Sequence, residues 1–264
     1  VWGIGRFEGA NMPNAELTAD ARVKAPLAGL HARLTRALDT PVGVVSAPLS
    51  VAGCRVADCA ALDLIHAAQL EASGADLSLA ATLSPRTPDL PAGPVTWRFI
   101  HALYVYPNSL TAVRLTGAQV RDLLEHAARF HDGLDCSGEE GGCTLLTDPA
   151  IPLYDVDSMA GVSYRVDPTR PEGERVRDLT RGGLPLADDA LLTVVVNNYR
   201  AAGGGGYPHL AGAEVVWRDP REMTDLLGEF LGRHDPYPAE ADGNWRVAPD
   251  VVAESPTGTP PPVQ

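Results

Sequence analysis

Residues 191–208 read Leu-Leu-Thr-Val-Val-Val-Asn-Asn-Tyr-Arg-Ala-Ala-Gly-Gly-Gly-Gly-Tyr-Pro. The opening six are nearly continuous in apolar residues, the pattern of a strand buried on both faces and therefore central in a sheet. That strand runs straight into Asn197, Asn198, Tyr199 and Arg200, and then into four glycines. A glycine run costs backbone entropy and brings no side chain to pack. It is tolerated where the main chain turns sharply or lets a ligand approach closely. Ligands favour the crevice beyond the carboxyl ends of sheet strands, which is where this loop begins.

A second stretch, Leu103-Tyr-Val-Tyr-Pro-Asn-Ser-Leu110, also breaks local regularity. Pro107 restricts Tyr106 and cannot donate to a ladder, so Tyr106 and Asn108 sit on a stiff turn before a strand. Every nucleobase has a π-face, and stacking on an aromatic ring is worth about 1–3 kcal/mol. Tyr106 and Tyr199 are thus candidates to hold a base between them, with Asn108 and Asn198 adding polar contacts and Gly204 and Gly205 allowing close approach. The competing reading makes both tyrosines core aromatics and the glycines a plain loop.

Around these segments the pattern predicts an α+β domain with a mixed sheet and flanking helices. Thr18 is read as capping a helix through about Leu38, with Val23, Leu27, Leu30 and Leu34 at helical spacing and Pro26 inside. Val42–Val51 is read as a strand, Asp58 as the cap of a helix bearing Leu62 and Ile65, and Asp76–Ala81 as a short strand. Ser84–Pro94 reads as a loop. Leu110–Leu115 alternates as a strand, and Thr116-Gly-Ala-Gln119 forms a capping box for a helix over Val120–Phe130. Residues 132–150 read as a loop, Val162–Val166 and Arg175–Leu179 as strands, and Asp219-Pro220 as the start of a last helix. Residues 1–17 read as a linker, 18–250 as one domain, and 251–264 as a disordered tail.

The chain has 264 residues, 45% hydrophobic and 21% charged, with a formal net charge of −13. Gripping a nucleic-acid polymer requires clustered Lys and Arg, and here Lys24 is the single lysine, so small nucleotides are the nucleic-acid class left. No apolar run is long enough for a transmembrane helix. The first residues, Val1-Trp2-Gly3, resemble the start of a processed chain. Cys54/Cys59 and Cys136/Cys143 form two local pairs without zinc or redox spacing. Two short disulfides in an oxidising compartment are the favoured reading over four buried thiols. No Walker loop, nucleophile elbow or dinuclear-metal motif is present. Asp155-Val-Asp157 lacks the rest of a calcium loop and reads as strand-end acids.

Four stretches together resemble the C-terminal domain of the secreted 5′-nucleotidase family, especially its 2′,3′-cyclic-nucleotide 2′-phosphodiesterase/3′-nucleotidase branch. They are Asp63–Gln69, Leu103–Glu125, Gly161–Arg175 and Asn197–Pro208. The resemblance implies that Tyr106 and Tyr199 sandwich the base and that Asn108 contacts it. Where the 5′-nucleotidase branch carries a ribose-contacting Asp, this chain has Gly205, and Arg86 is an approximate match for its phosphate or sugar contact. Both departures favour the phosphodiesterase branch. The resemblance further implies a secreted, periplasmic or cell-envelope nucleotide hydrolase. Its two divalent metal ions would belong to an N-terminal metallophosphatase domain outside this chain, which would be inactive alone. An alternative is a non-catalytic envelope interaction module that retains the fold.

Overall fold

The computed structural model describes residues 20–137, 143–248 and 251–254. The expected linker over 1–17 and the end of the expected tail lie outside them. The chain divides into two units at Thr40 and Pro41. In the first, helix α1 (Ala21–Leu38) begins at Asp20, whose carboxylate accepts from Arg22 N. The expected cap, Thr18, lies outside the described residues. Pro26 sits inside the helix, and Val23, Leu27, Leu30 and Leu34 are all exposed.

The second unit runs in chain order through β1 (Pro41–Val45), α2 (Ala60–Ser73), β2 (Leu77–Ala81), β3 (Gly93–Thr96), α3 (Trp97–Leu103), β4 (Leu110–Thr116) and α4 (Gly117–Ala128). It continues through β5 (His131–Asp135), β6 (Cys143–Thr147), β7 (Asp157–Ala160), β8 (Ser163–Val166), β9 (Val176–Arg181) and β10 (Leu184–Pro185). Then come β11 (Leu191–Asn197), α5 (Asn198–Ala201), β12 (Glu214–Asp219), α6 (Met223–Arg233), β13 (Trp245–Val247) and β14 (Val251–Glu254). The main sheet has the order β12-β4-β11-β2-β7, which makes β11 its central strand. β11 is parallel to β2 and antiparallel to β4, and β2 is antiparallel to β7. A second sheet has the order β10-β9-β8-β13.

Because successive strand side chains point to opposite faces, the main sheet divides the core in two. Val194, Val196, Val113, Leu115, Leu77 and Leu79 join α4 and the second sheet in one cluster. Val195, Ala112, Leu110 and Ala80 join α2, α3 and α6 in the other. The helices need this sheet: Leu123 and Leu124 of α4 are 0% and 1% exposed.

Several local expectations are corrected. The N-cap of α2 is Cys59, without a side-chain cap; the Asp58 carboxylate accepts instead from Gly243 N. Asp219 ends β12, and α6 starts at Met223 after Glu222, because Arg221 engages the Asp219 carboxylate. His131–Asp135 and Cys143–Thr147, expected in a loop, are instead the paired antiparallel strands β5 and β6. Pro94 does not prevent β3 from pairing with β1. Val251–Glu254 of the expected tail forms β14, parallel to β6. Both cysteine pairs are disulfides, Cys54–Cys59 and Cys136–Cys143. Among the described residues no helix is long and apolar enough to cross a membrane.

Candidate functional site

The strand directions bring four segments to one edge of the main sheet. β11 and its parallel neighbour β2 end there, while antiparallel β4 and β7 begin there. The Tyr106 segment precedes β4, the Tyr199 segment follows β11, Leu83 follows β2, and Tyr154 precedes β7.

The Tyr106 turn is built around Pro107. Asn108 N donates to Tyr106 O at 2.8 Å, a three-residue turn that suits the fixed φ of proline. Met223 N donates to Asn108 O at 2.8 Å, and Asn198 N donates to Ser109 O at 2.9 Å. The turn is therefore tied to α6 and to the start of the segment carrying Tyr199. Its two tyrosines separate: Tyr104 is 2% exposed in the core, whereas Tyr106 is 45% exposed.

Beyond β11, Asn197 caps α5 through its side chain, Oδ1 accepting from Arg200 N at 2.8 Å. That single turn sends Tyr199 outward and Arg200 inward. The Arg200 Nε donates to Asp157 Oδ2 at 3.0 Å, Nη1 to Asp155 Oδ1 at 2.8 Å and to Gly204 O at 3.3 Å, and Nη2 to Tyr154 O at 2.5 Å. The guanidinium also lies 4.5 Å from the centre of the Tyr207 ring. Burial works against its charge, yet Asp157, Tyr207 and Asp155 hold its pKa above the ordinary arginine value. Arg200 thus stays a cation whose charge is matched by two carboxylates of this chain.

Together these segments enclose a cleft of about 240 Å³ lined by Tyr106, Tyr154 and Tyr199, with Asn108, Asn197, Arg200 and Leu83. Burial, with Asp155, Tyr199 and Tyr106 nearby, raises the Tyr154 hydroxyl above its usual pKa. The glycine loop packs closely against the Tyr199 and Arg200 side chains. A Cβ on Gly204 would strike the Tyr199 ring, and Gly205, at φ +73°, lies against the Arg200–Asp155 pair. His126 Nε2 sits 2.9 Å from Gly205 O and its ring 4.4 Å from that of Tyr207, bracing the loop from α4.

Of the residues singled out from the sequence, the fold gathers Tyr106, Asn108 and Tyr199 at this cleft. Gly204 and Gly205 lie behind the cleft lining, against Tyr199 and Arg200. Asn198 is exposed and outside the lining, where its neighbour Asn197 appears instead. Arg86 is exposed on the loop three residues beyond Leu83, also outside the lining. Sequence reasoning missed Tyr154, and it treated Asp155 and Asp157 as ordinary strand-end acids. No local signal links them to Arg200, some 45 residues later in the chain.

One acidic trio lies elsewhere, Asp58, Asp63 and Asp242, with carboxylate oxygens within 4.8 Å of one another. Burial chiefly pushes Asp63 up to about 7, with Asp58 and Asp242 adding to the rise. Asp63 and Asp58 accept from Asp242 N and Gly243 N, pinning the segment before β13. None of the three lines the cleft.

Comparison with known proteins agrees with this architecture. The 5′-nucleotidase C-terminal domain family matches residues 38–212. A trifunctional nucleotide phosphoesterase protein of Bacillus subtilis is 32% identical over 61% of this chain and 12% of its own length. A 2′,3′-cyclic-nucleotide 2′-phosphodiesterase/3′-nucleotidase of Salmonella typhimurium is 31% identical over 60% of this chain. The chain spans 26% of that relative. A Staphylococcus aureus structure assigned as a 5′-nucleotidase superposes with a TM-score of 0.75 at 25% identity, covering 90% of this chain and 45% of its own. With the family match spanning most of the second unit, this chain belongs to the 5′-nucleotidase C-terminal domain family.

Proposed function

We propose that this chain binds the nucleoside part of a nucleotide and presents it for hydrolysis by a metal-bearing domain outside the chain. The parent would be a nucleotide phosphohydrolase of the 2′,3′-cyclic phosphodiesterase/3′-nucleotidase or 5′-nucleotidase kind. The observation that carries this reading is the convergence of two half-exposed tyrosines, Tyr106 and Tyr199, on one cleft beside Asn108. An exposed ring offers its π-face to a base, and stacking tolerates any base. Asn108 supplies both a donor and an acceptor for the base edge.

The two divalent ions of the reaction would be held by the other domain, where they would activate water and polarise the phosphoryl group. This chain's residues would bind and orient the substrate. Arg86, exposed three residues beyond Leu83 and outside the cleft lining, remains the proposed contact for a sugar oxygen of the nucleoside. A secreted or periplasmic location is supported by the two disulfides, which persist in oxidising compartments.

Calorimetric titration of the isolated chain with adenosine and with 3′-AMP tests the reading. Binding that weakens about tenfold or more in Tyr106→Ala and in Tyr199→Ala, and survives in the Phe variants, is expected. Absence of binding to the unaltered chain would sink it.

A further inference from the structure

Tyr154 stands on the 3-10 turn Leu153–Asp155, which Pro152 precedes. Among the described residues no hydrogen bond to its hydroxyl explains its placement, and Tyr154 is 37% exposed at the cleft beside Tyr106 and Tyr199. The turn itself is held with unusual firmness. Arg200 Nη2 donates to Tyr154 O, Arg200 Nη1 pairs with Asp155 Oδ1, and the Tyr207 hydroxyl donates to Asp155 O at 2.7 Å. Arg200 and Tyr207 both belong to the segment that carries Tyr199. One buried cation therefore sets the spacing between two exposed rings that lie 45 residues apart in the chain.

Burying an arginine with two carboxylates gains little stability over an apolar packing, so its retention is better explained by the geometry it enforces. Here that geometry is a large aromatic ring held partly in solvent at the wall of a cleft. A bound planar ring would cover it.

We propose that Tyr154 is a third aromatic wall of the cleft and a ligand-contacting residue, so that the site encloses an uncharged heterocycle on three sides. The proposal rests on the nucleoside-binding reading and deepens it. Since Asp155 and Asp157 already match the Arg200 charge, the cleft lining offers a phosphate no free cation. The recognised group is the nucleoside, and a phosphate on it adds little at this lining.

The test is titration of the isolated chain with adenosine, 3′-AMP and inorganic phosphate, in the unaltered protein and in Tyr154→Ala, Tyr154→Phe and Tyr106→Ala. Transferred NOEs from the adenosine H2 and H8 protons to tyrosine ring protons give a contact readout that a merely structural role would not move. Expected results are an adenosine affinity about tenfold weaker in Tyr154→Ala, within about threefold of the original in Tyr154→Phe, and NOEs to three tyrosine rings that fall to two in Tyr154→Ala. Adenosine should bind within a few-fold of 3′-AMP, and phosphate alone should not bind. If Tyr106→Ala weakens adenosine while Tyr154→Ala leaves both affinity and NOEs unchanged, the third wall is overturned and the nucleoside reading stands. A tenfold preference for 3′-AMP over adenosine would overturn the uncharged-ligand part. Absence of adenosine binding to the unaltered chain removes the nucleoside reading and this proposal together.

Discussion

Arg200 Nη2 lies 2.8 Å from Asp157 Oδ2, and each of these side chains is 2% exposed. The pair joins the start of β7 to the segment after β11, so it connects fold stability to the shape of the cleft. Arg200→Met leaves Asp157 buried without its cation, with only the Tyr207 hydroxyl beside it, which should cost about 3–5 kcal/mol in chemical denaturation. The double variant with Asp157→Asn should recover part of that loss, because the uncompensated charge is gone. Neither should bind adenosine like the original, since Tyr154 O has lost its donor.

Two adjacent glycines should behave differently. A methyl on Gly204 meets the ring of Tyr199, which is 46% exposed and so has solvent to turn into. Gly204→Ala should therefore weaken adenosine binding while changing the melting temperature little. Gly205→Ala forces an L-residue to φ +73° and places its Cβ 2.5 Å from Arg200 Nη1 and 2.6 Å from Asp155 Oδ1. It should destabilise the fold by at least about 1 kcal/mol as well as weaken binding. Calorimetric melts beside adenosine titrations separate the two cases.

Asp63, pushed up to about 7 by burial chiefly, favours the folded state when protonated. Its contribution is complete below the ordinary carboxylate pKa and is lost as pH rises through 7. Asp63→Asn mimics the protonated form and keeps an acceptor for Asp242 N. It should raise stability at pH 8 by roughly 1–3 kcal/mol and have almost no effect at pH 4. His66 and His131 act in the opposite sense. Burial lowers both to about 4, so the stability they contribute is present above pH 6.5 and is lost as pH falls through 4. In the Asp63→Asn protein that opposing carboxyl is gone while the raised Asp157 and Asp242 remain, so the fall in melting temperature from pH 6.5 to pH 4 should be steeper than in the unaltered protein. A profile no steeper than that of the unaltered protein would contradict a buried, protonated Asp63.

The two disulfides should differ in accessibility. Cys54 is 1% exposed within the core cluster, whereas Cys136 is exposed at the end of β5. Mild reductant followed by alkylation and peptide mass analysis should label Cys136 and Cys143 well before Cys54 and Cys59, because thiol exchange needs access to a sulfur.

Much of this architecture is readable along the chain. The apolar run before Asn197 marks the central strand, and the Thr116–Gln119 capping box is present in both directions, with Gln119 N on Thr116 Oγ1 and Thr116 N on Gln119 Oε1. The disulfide pairs follow from spacing. Other signals misled because a distant group competed for the same side chain. Asp58 resembles a helix cap, yet its carboxylate is taken by Gly243 N, 185 residues away. Asp219 resembles one too, but Arg221 engages it from two residues on.

At the cleft the division is sharper. Tyr106, Asn108, Tyr199 and the glycine loop announce themselves through proline stiffness, a strand that ends in polar residues, and glycines where packing residues belong. These are local effects that act within a few positions. That Asn197 rather than Asn198 lines the cleft depends on a single turn of helix after β11. That Tyr154 joins the other two rings depends on β7 pairing with β2 and β2 with β11. Asp155 and Asp157 change from ordinary acids to the partners of a buried arginine for the same reason: strand register brings remote groups within hydrogen-bond distance, and no pattern of neighbouring residues encodes that meeting.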